Sequence, residues 1–225
     1  MCGRFGFYST HHAIKEWLDS DDPDVVQPSW NFAPTDTIAA IRADDEGERR
    51  LVGLRWGLIP SWAKDTKIGA RMINARADTV PTKPAFRTAF RKRRCLIPLD
   101  GYYEWQVTST GKQPYFIHAS SPLMAAGLWE QWRGLVGGEP LESATIITTD
   151  SVDSLGHVHE RMPVFVRFEA HRAWLGHETP PEVLVALLRP YTGDLAITAV
   201  SRKVNSVAND GPELILPAED EASSR

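Results

Sequence analysis

The residues with the most chemistry to offer begin at the second position. Met1-Cys2-Gly3 places a thiol directly after the initiator methionine. Cysteine is small enough for methionine to be trimmed routinely, which would leave Cys2 at the N-terminus with an amine and a thiol on adjacent carbons. The amine condenses with an aldehyde to give an imine, and the thiol closes onto the imine carbon as a five-membered thiazolidine. An α-amino group titrates at about 7.7–8.0 and a free thiol at about 8.5, so the amine is ready near neutral pH. The competing reading is a small buried hydrophobe. Glu104 follows Tyr102 and Tyr103 and precedes Trp105. Among aromatic rings a carboxylate loses solvation, its pKa rises, and it becomes a proton donor near neutrality. On the polar face of a strand it would be a surface glutamate instead. His159, beside Glu160 and Arg161, can shuttle protons as a neutral imidazole.

Other residues suggest a surface for a partner. Asn74 and Arg76 alternate in Met72-Ile73-Asn74-Ala75-Arg76-Ala77, so on a strand they share one face. Arg71, Arg76, Lys83, Arg87, Arg91, Lys92, Arg93 and Arg94 are offset between positions 71 and 94 only by Asp78. This run is either a solvated helix face or a track for phosphates, and Phe86 and Phe90 within it suit a core better than base stacking. His157 with His159 and Cys2 invites a zinc reading. Two histidines without a third fixed ligand are a weak metal signal, so no metal and no cofactor is expected. Glycine-rich phosphate loops and serine-centred nucleophile elbows are absent from the sequence, against nucleotide-dependent and hydrolase-fold readings.

The elements that must position these groups read mainly as strands. Thr10 would cap a short helix carrying Ile14, Trp17 and Leu18. A strand is predicted around Ile38–Ile41, a hairpin tip at Asp44–Arg50, and a second strand over Leu51–Ile59. Pro84–Arg93 reads as a helix and Cys95–Trp105 as a buried strand. Ser109–Lys112 turns the chain back into Pro114–His118, and Leu123–Trp132 and Ser143–Thr149 continue the β pattern. Gly156–Pro163 reads as a loop and Val164–Phe168 as a strand. Helices are predicted over Glu169–Leu175 and after Pro181, the latter with Val183, Leu184, Leu187 and Leu188 on its apolar face. Leu195–Val204 is the last predicted strand. The whole reads as a single α+β domain, residues 1–217, with β dominant and helices peripheral; 218–225 is an acidic tail.

With 225 residues, 42% hydrophobic and 24% charged, the chain can bury one sizeable core. Its net charge of −4 means that any nucleic-acid site must be local. Two cysteines argue against a disulfide scaffold and fit a reducing cytosol. No signal-peptide core and no spanning stretch is visible, so the expected location is cytoplasmic, or nuclear in a eukaryote, with no membrane partner.

Eight blocks occur in order: Met1-Cys2-Gly3-Arg4-Phe5, Asn31–Thr35, Arg55–Trp62, Asn74–Thr79, Arg94–Pro98, Asp100-Gly101-Tyr102-Tyr103-Glu104-Trp105, His159–Pro163 and Val204-Asn205. Together they resemble the SRAP family, the abasic-site processing proteins. The resemblance implies a barrel-like β core with a basic channel for single-stranded DNA, a monomer, and a covalent link between Cys2 and the aldehyde of an abasic site. By resemblance Asn74 orients the nucleophile, Glu104 is the catalytic glutamate, and His159 assists sugar opening and proton transfer. Arg76 grips phosphate, and Arg4 and Arg161 join it as DNA-binding candidates. The sequence departs from the family pattern at Asp78, where glutamate is usual, and at Asp150-Ser151-Val152. A basic run suits sequence-independent binding, as a protein recognising a missing base requires. The resemblance implies a protein that crosslinks to abasic DNA in the DNA damage and SOS response, nucleoid-associated when on DNA, with lyase-type chemistry and autoproteolytic loss of Met1 as related activities. The alternatives are an N-terminal-nucleophile protease or amide hydrolase acting through Cys2, and a noncatalytic single-strand binding module.

Overall fold

The computed structural model describes residues 2–9, 14–18, 25–134 and 138–218. Among them, ten strands form one sheet that closes on itself. In chain order these are β1 (Arg4–Phe7), β2 (Ser29–Phe32), β3 (Thr37–Ala43), β4 (Arg49–Trp56), β5 (Asn74–Arg76), β6 (Arg94–Thr108), β7 (Gly111–Trp132), β8 (Leu141–Asp150), β9 (Arg161–Pro163) and β10 (Ala196–Ala199). The path β7-β8-β4-β3-β6 returns to β7 through the β6–β7 pairing, giving a five-stranded barrel. Closure pairs both edges of the small sheet and removes the exposed ladder that an open sheet would present. β1 and β2 continue outward from β6, β10 pairs with the distal half of β7, and β5 and β9 flank β8. Four short α-helices among the described residues lie outside: α1 (Arg87–Lys92), α2 (Asp153–Gly156), α3 (His171–Leu175) and α4 (Pro181–Ala186). The expected α+β architecture with a barrel-like core is therefore the observed one.

β6 is the strand that ties barrel to site. Its first residues, Cys95-Leu96-Ile97-Pro98-Leu99, are apolar without alternation and all buried. Such a run fits a strand covered on both faces, and α1 and α3 pack against it. Arg94–Leu99 pairs inside the barrel with Leu123–Leu128, while Gly101–Thr108 leaves it as a hairpin arm with Gly111–His118. A register shift separates the two halves. At that joint a Cβ on Gly101 would lie 2.3 Å from Cζ of Phe116, so only glycine allows the close approach. β1 pairs there too, placing Phe5 opposite Tyr102 and Arg4 opposite Tyr103. Tyr103, Phe116, Val200, Val204 and Leu214 form a second small core on the arm.

Several expectations change in detail. The segments Pro114–His118 and Leu123–Trp132 belong to one strand, because β7 runs through a bulged region rather than breaking. The strand predicted over Leu51–Ile59 begins at Arg49 and ends at Trp56, where Gly57 takes a φ of 122°. The predicted loop Gly156–Pro163 contains the end of α2 and all of β9. The predicted strand Val164–Phe168 has only a bridge from Phe165 to Ala125 and single backbone bonds, among them Ala126 N–H to the Val164 carbonyl. Leu195–Val204 is a strand only over Ala196–Ala199, and its end turns into a 3-10 helix, Arg202–Asn205, capped by Ser201. Val183 is exposed on α4, whereas Leu184 and Leu188 face the core. Ile14 and Trp17 are buried beside a 3-10 turn. The Thr10 cap and the acidic tail from Glu219 lie outside the described residues.

The basic run resolves into two populations. Arg91 and Lys92 are exposed, but Arg94 is only 4% exposed. Its Nε donates to the Trp174 carbonyl at 2.6 Å, and its other nitrogens to the carbonyls of Phe90, Arg91 and Gly176 at 2.8, 2.6 and 2.6 Å. These are the carbonyls left over at the ends of α1 and α3, so Arg94 staples two helix C-termini and is corrected from a phosphate contact to a structural residue. Arg93 is bound to Glu130 at 2.7 Å. Arg94→Ala should lower unfolding stability by roughly 3 kcal/mol or more in a denaturant titration, since several buried carbonyls lose their donor. Weakened DNA binding with unchanged stability would return Arg94 to the phosphate track.

Candidate active site

Asn74 stands on β5 because Ala75 between it and Arg76 is buried against the barrel. β5 pairs parallel with β8, Asn74 opposite Ile146 and Arg76 opposite Thr148. From there the Asn74 amide donates through Nδ2 to the Cys2 carbonyl at 2.7 Å. Cys2 precedes β1 and is fully buried, its thiol directed at the Arg4 carbonyl 3.9 Å away. Burial pushes the thiol pKa up, and the Glu104 charge pushes it further the same way. At neutral pH the sulfur keeps its proton, which is the opposite of a resting, thiolate-type nucleophile.

Glu104, on the arm of β6, is 3% exposed, and burial raises its pKa to about 7. His159 lies between α2 and β9, with Nε2 4.0 Å from Oε2 of Glu104. Its Nδ1 accepts the Arg161 backbone N–H at 3.0 Å, and the Ser151 hydroxyl donates to its carbonyl at 2.7 Å. An accepting Nδ1 puts the proton of the neutral ring on Nε2, facing Glu104. Burial lowers the His159 pKa, which keeps that neutral form at physiological pH. The pair is an acid near its midpoint beside a neutral imidazole, a combination suited to moving protons in both directions. It lines a pocket of about 450 Å³ with Trp105, Val107, Lys112 and Asn205.

Of the three candidate DNA-binding arginines, Arg76 is the one held at the surface: its side chain is 54% exposed and paired with Asp78 at 2.8 Å. The aspartate at 78 is thus long enough to hold the guanidinium side-on through Nε and a terminal nitrogen. Arg4 is drawn inward, donating to Oδ1 of Asn31 and the Val204 carbonyl at 2.9 Å, which ties β1 to the C-terminal 3-10 helix. Arg161 is 6% exposed and binds Asp150 at 2.9 Å and the Thr148 carbonyl at 2.5 Å. Asp150 and Ser151 therefore shape the loop that presents His159. His157 is elsewhere engaged, its ring edge-on to Tyr115 and its carbonyl accepting from Gln106. Among the described residues no group of three or more His, Cys, Asp or Glu could hold a metal ion.

Sequence reasoning missed the far wall of the pocket. Lys112 reaches it from the β6–β7 turn, and Val107 stands 79% exposed at its rim. Trp105 is braced by a bond from its Nε1 to Oδ1 of Asn205 at 2.8 Å. The two residues fall in separate sequence blocks a hundred positions apart, so no local spacing could pair them.

Comparison with known proteins identifies the family. The family model described as SOS response associated peptidase (SRAP) matches residues 1–207. The abasic site processing protein YoaM of Bacillus subtilis is 45% identical over 96% of this chain and 97% of its own length. The abasic site processing protein HMCES of Gallus gallus is 37% identical over 91% of this chain and 69% of its own. A crystal structure of a protein from Bacteroides thetaiotaomicron superposes with a TM-score of 0.86 at 25% identity, covering 97% of this chain and all of that one. With a matching model over nearly its whole length and relatives well above 30% identity, this chain belongs to the SOS response associated peptidase (SRAP) family.

Proposed function

We propose that this protein processes abasic sites in single-stranded DNA by crosslinking to them through Cys2 after Met1 is removed. The observation that carries the reading is a Cys2 backbone anchored by Asn74 beside a buried acid that faces a neutral histidine. An abasic sugar alternates between a closed hemiacetal and an open aldehyde. Glu104 in its acid form protonates the ring oxygen, its carboxylate takes the anomeric hydroxyl proton as the ring opens, and the Nε2–H of His159 steadies the charge that passes through it. The Cys2 amine then attacks the aldehyde carbon, and the resulting carbinolamine loses its hydroxyl as water with the proton from Glu104. Addition of the thiol across the imine closes the thiazolidine. Without an iminium there is no electron sink to drive strand cleavage, so the lesion is capped. Relatives named as abasic site processing proteins support the substrate class.

Arg76 is the phosphate contact in this reading, with Lys112 across the pocket, while Arg4 and Arg161 position the N-terminus and the His159 loop. Arg76→Gln should weaken binding to intact and abasic single strands alike and reduce the slope of log K against log salt by about 0.7. An unchanged slope in a salt titration would leave the Arg76–Asp78 pair as surface decoration.

Glu104 also yields a stability prediction. Its pKa is raised in the fold, so its contribution is fully present below the unfolded value and lost as pH rises through about 7. At about 1.4 kcal/mol per unit, holding the ionised form in that site costs up to roughly 3 kcal/mol. Glu104→Gln should therefore be more stable than the unaltered protein at pH 9 and similar to it at pH 4, by denaturant midpoints. A constant difference across that range would mean the carboxyl is not desolvated.

The second reading is an N-terminal-nucleophile peptidase, favoured by the word peptidase in the family's description. A buried, protonated thiol argues against it. Amide turnover on peptides together with no adduct on abasic strands would establish it.

A further inference from the structure

Tyr102 and Tyr103 are adjacent on β6, yet only one has its hydroxyl occupied. Tyr103 donates to the Trp30 carbonyl at 2.8 Å on the outer face of the arm. The Tyr102 hydroxyl is buried and has no hydrogen-bond partner among the described residues. So is Oδ1 of Asn74, the other end of the amide that holds the Cys2 carbonyl. Buried hydroxyls and amide oxygens are nearly always satisfied, so two open ones ask for an occupant. Alternation along the strand puts Tyr102 on the same face as Glu104, and its side chain is buried in the main hydrophobic core, to which Cys2 also belongs. Burial pushes its phenol pKa well up, and Cys2 and Glu104 push it the same way. Its ring meets Phe165 at 6.0 Å between centroids, so phenylalanine would fill the same space.

We propose that the Tyr102 hydroxyl is a further catalytic group, which carries the Cys2 thiol proton to nitrogen when the thiazolidine ring closes. The inference rests on the crosslinking reading above. In that step a carbon–sulfur bond forms, the π electrons of the imine become a lone pair on nitrogen, and one proton passes from sulfur to nitrogen. Nothing else is consumed. The phenol gives its proton to nitrogen as it accepts the thiol's, and ends unchanged. Such a relay is needed because a buried thiol keeps its proton and cannot wait as a thiolate. Oδ1 of Asn74 is the acceptor that holds an N–H of the Cys2 amine in line.

Tyr102→Phe tests this on Met1-free protein and a single-stranded abasic oligonucleotide, quenched over time with and without borohydride. Borohydride traps the imine and leaves the closed ring unchanged. Imine should appear at the unaltered rate, and its conversion to the borohydride-resistant adduct should slow about 10²-fold, within the range for one proton-transfer group. The ratio of trapped to resistant adduct is read within each sample, so loss of folded protein does not imitate the effect. Tyr103→Phe, the control, should convert as the unaltered protein does. Equal conversion in Tyr102→Phe and the unaltered protein overturns this role alone. Absence of any adduct with the unaltered protein overturns the crosslinking reading and this role with it.

Discussion

Cys2→Ala is expected to abolish the heat-stable adduct with abasic single-stranded DNA altogether. Both atoms that join the sugar carbon, the amine nitrogen and the sulfur, must belong to one N-terminal residue for the ring to have five members. Alanine keeps the amine, so a transient imine can still form, but it has nothing with which to close and remains open to hydrolysis. Cys2→Ser isolates the sulfur, because a hydroxyl is a poor substitute, and should give a labile product in low yield. Asn74 still finds the backbone carbonyl it holds in either variant. Binding to undamaged strands should change little. The readout is a denaturing gel after heating, and a full-strength band with Cys2→Ala would remove the thiazolidine from the account.

Glu104→Gln and His159→Ala are expected to slow crosslinking by about 10²–10⁴ while leaving the final adduct chemically identical. Neither changes the bonds that form; one removes the carrier of protons and the other the Nε2–H that steadies its charge. The pH dependence separates them from a structural effect. Glu104 acts as an acid, so its limb of the rate profile falls as pH rises through about 7. The amine must be uncharged, so its limb rises toward about 7.7–8.0. The unaltered protein should therefore show a bell-shaped profile, and Glu104→Gln should lose the falling limb. An adduct made by the unaltered protein passes back through the same transition states, so adduct exchange should slow in the variants as well. Loss of DNA affinity in proportion to rate would make these residues binding groups.

How much of this was legible depends on the range over which each signal acts. Strands β3, β6 and β8 carry their signature locally, in β-branched or apolar runs, and fell where sequence placed them. The joint between Leu99 and Gly101 was not legible, because it follows from the closeness of Phe116 fifteen residues away. The segment after β9 is apolar enough for a strand but meets only fragments of a ladder, through the Ala126 N–H to the Val164 carbonyl and the Val166 N–H to the Met124 carbonyl. At the site, Cys2, Asn74, Glu104 and His159 were found by type and by family resemblance. Their electrostatics needed the structure, because desolvation of Glu104 and Cys2 arises from residues distant in sequence. Arg94 shows the limit most clearly. In a run of four basic residues nothing local marks the one that turns inward; only the ends of α1 and α3, brought together by folding, explain it.

The central claim is a covalent ring made by an N-terminal Cys2 on an abasic aldehyde. Intact-mass spectrometry of the purified protein with a single-stranded abasic oligonucleotide tests it most directly. The expected species is the sum of the Met1-free protein and the oligonucleotide less one water, with fragment ions locating the linkage at Cys2. An unlinked mixture, a linkage at any lysine, or an adduct that retains Met1 would contradict it.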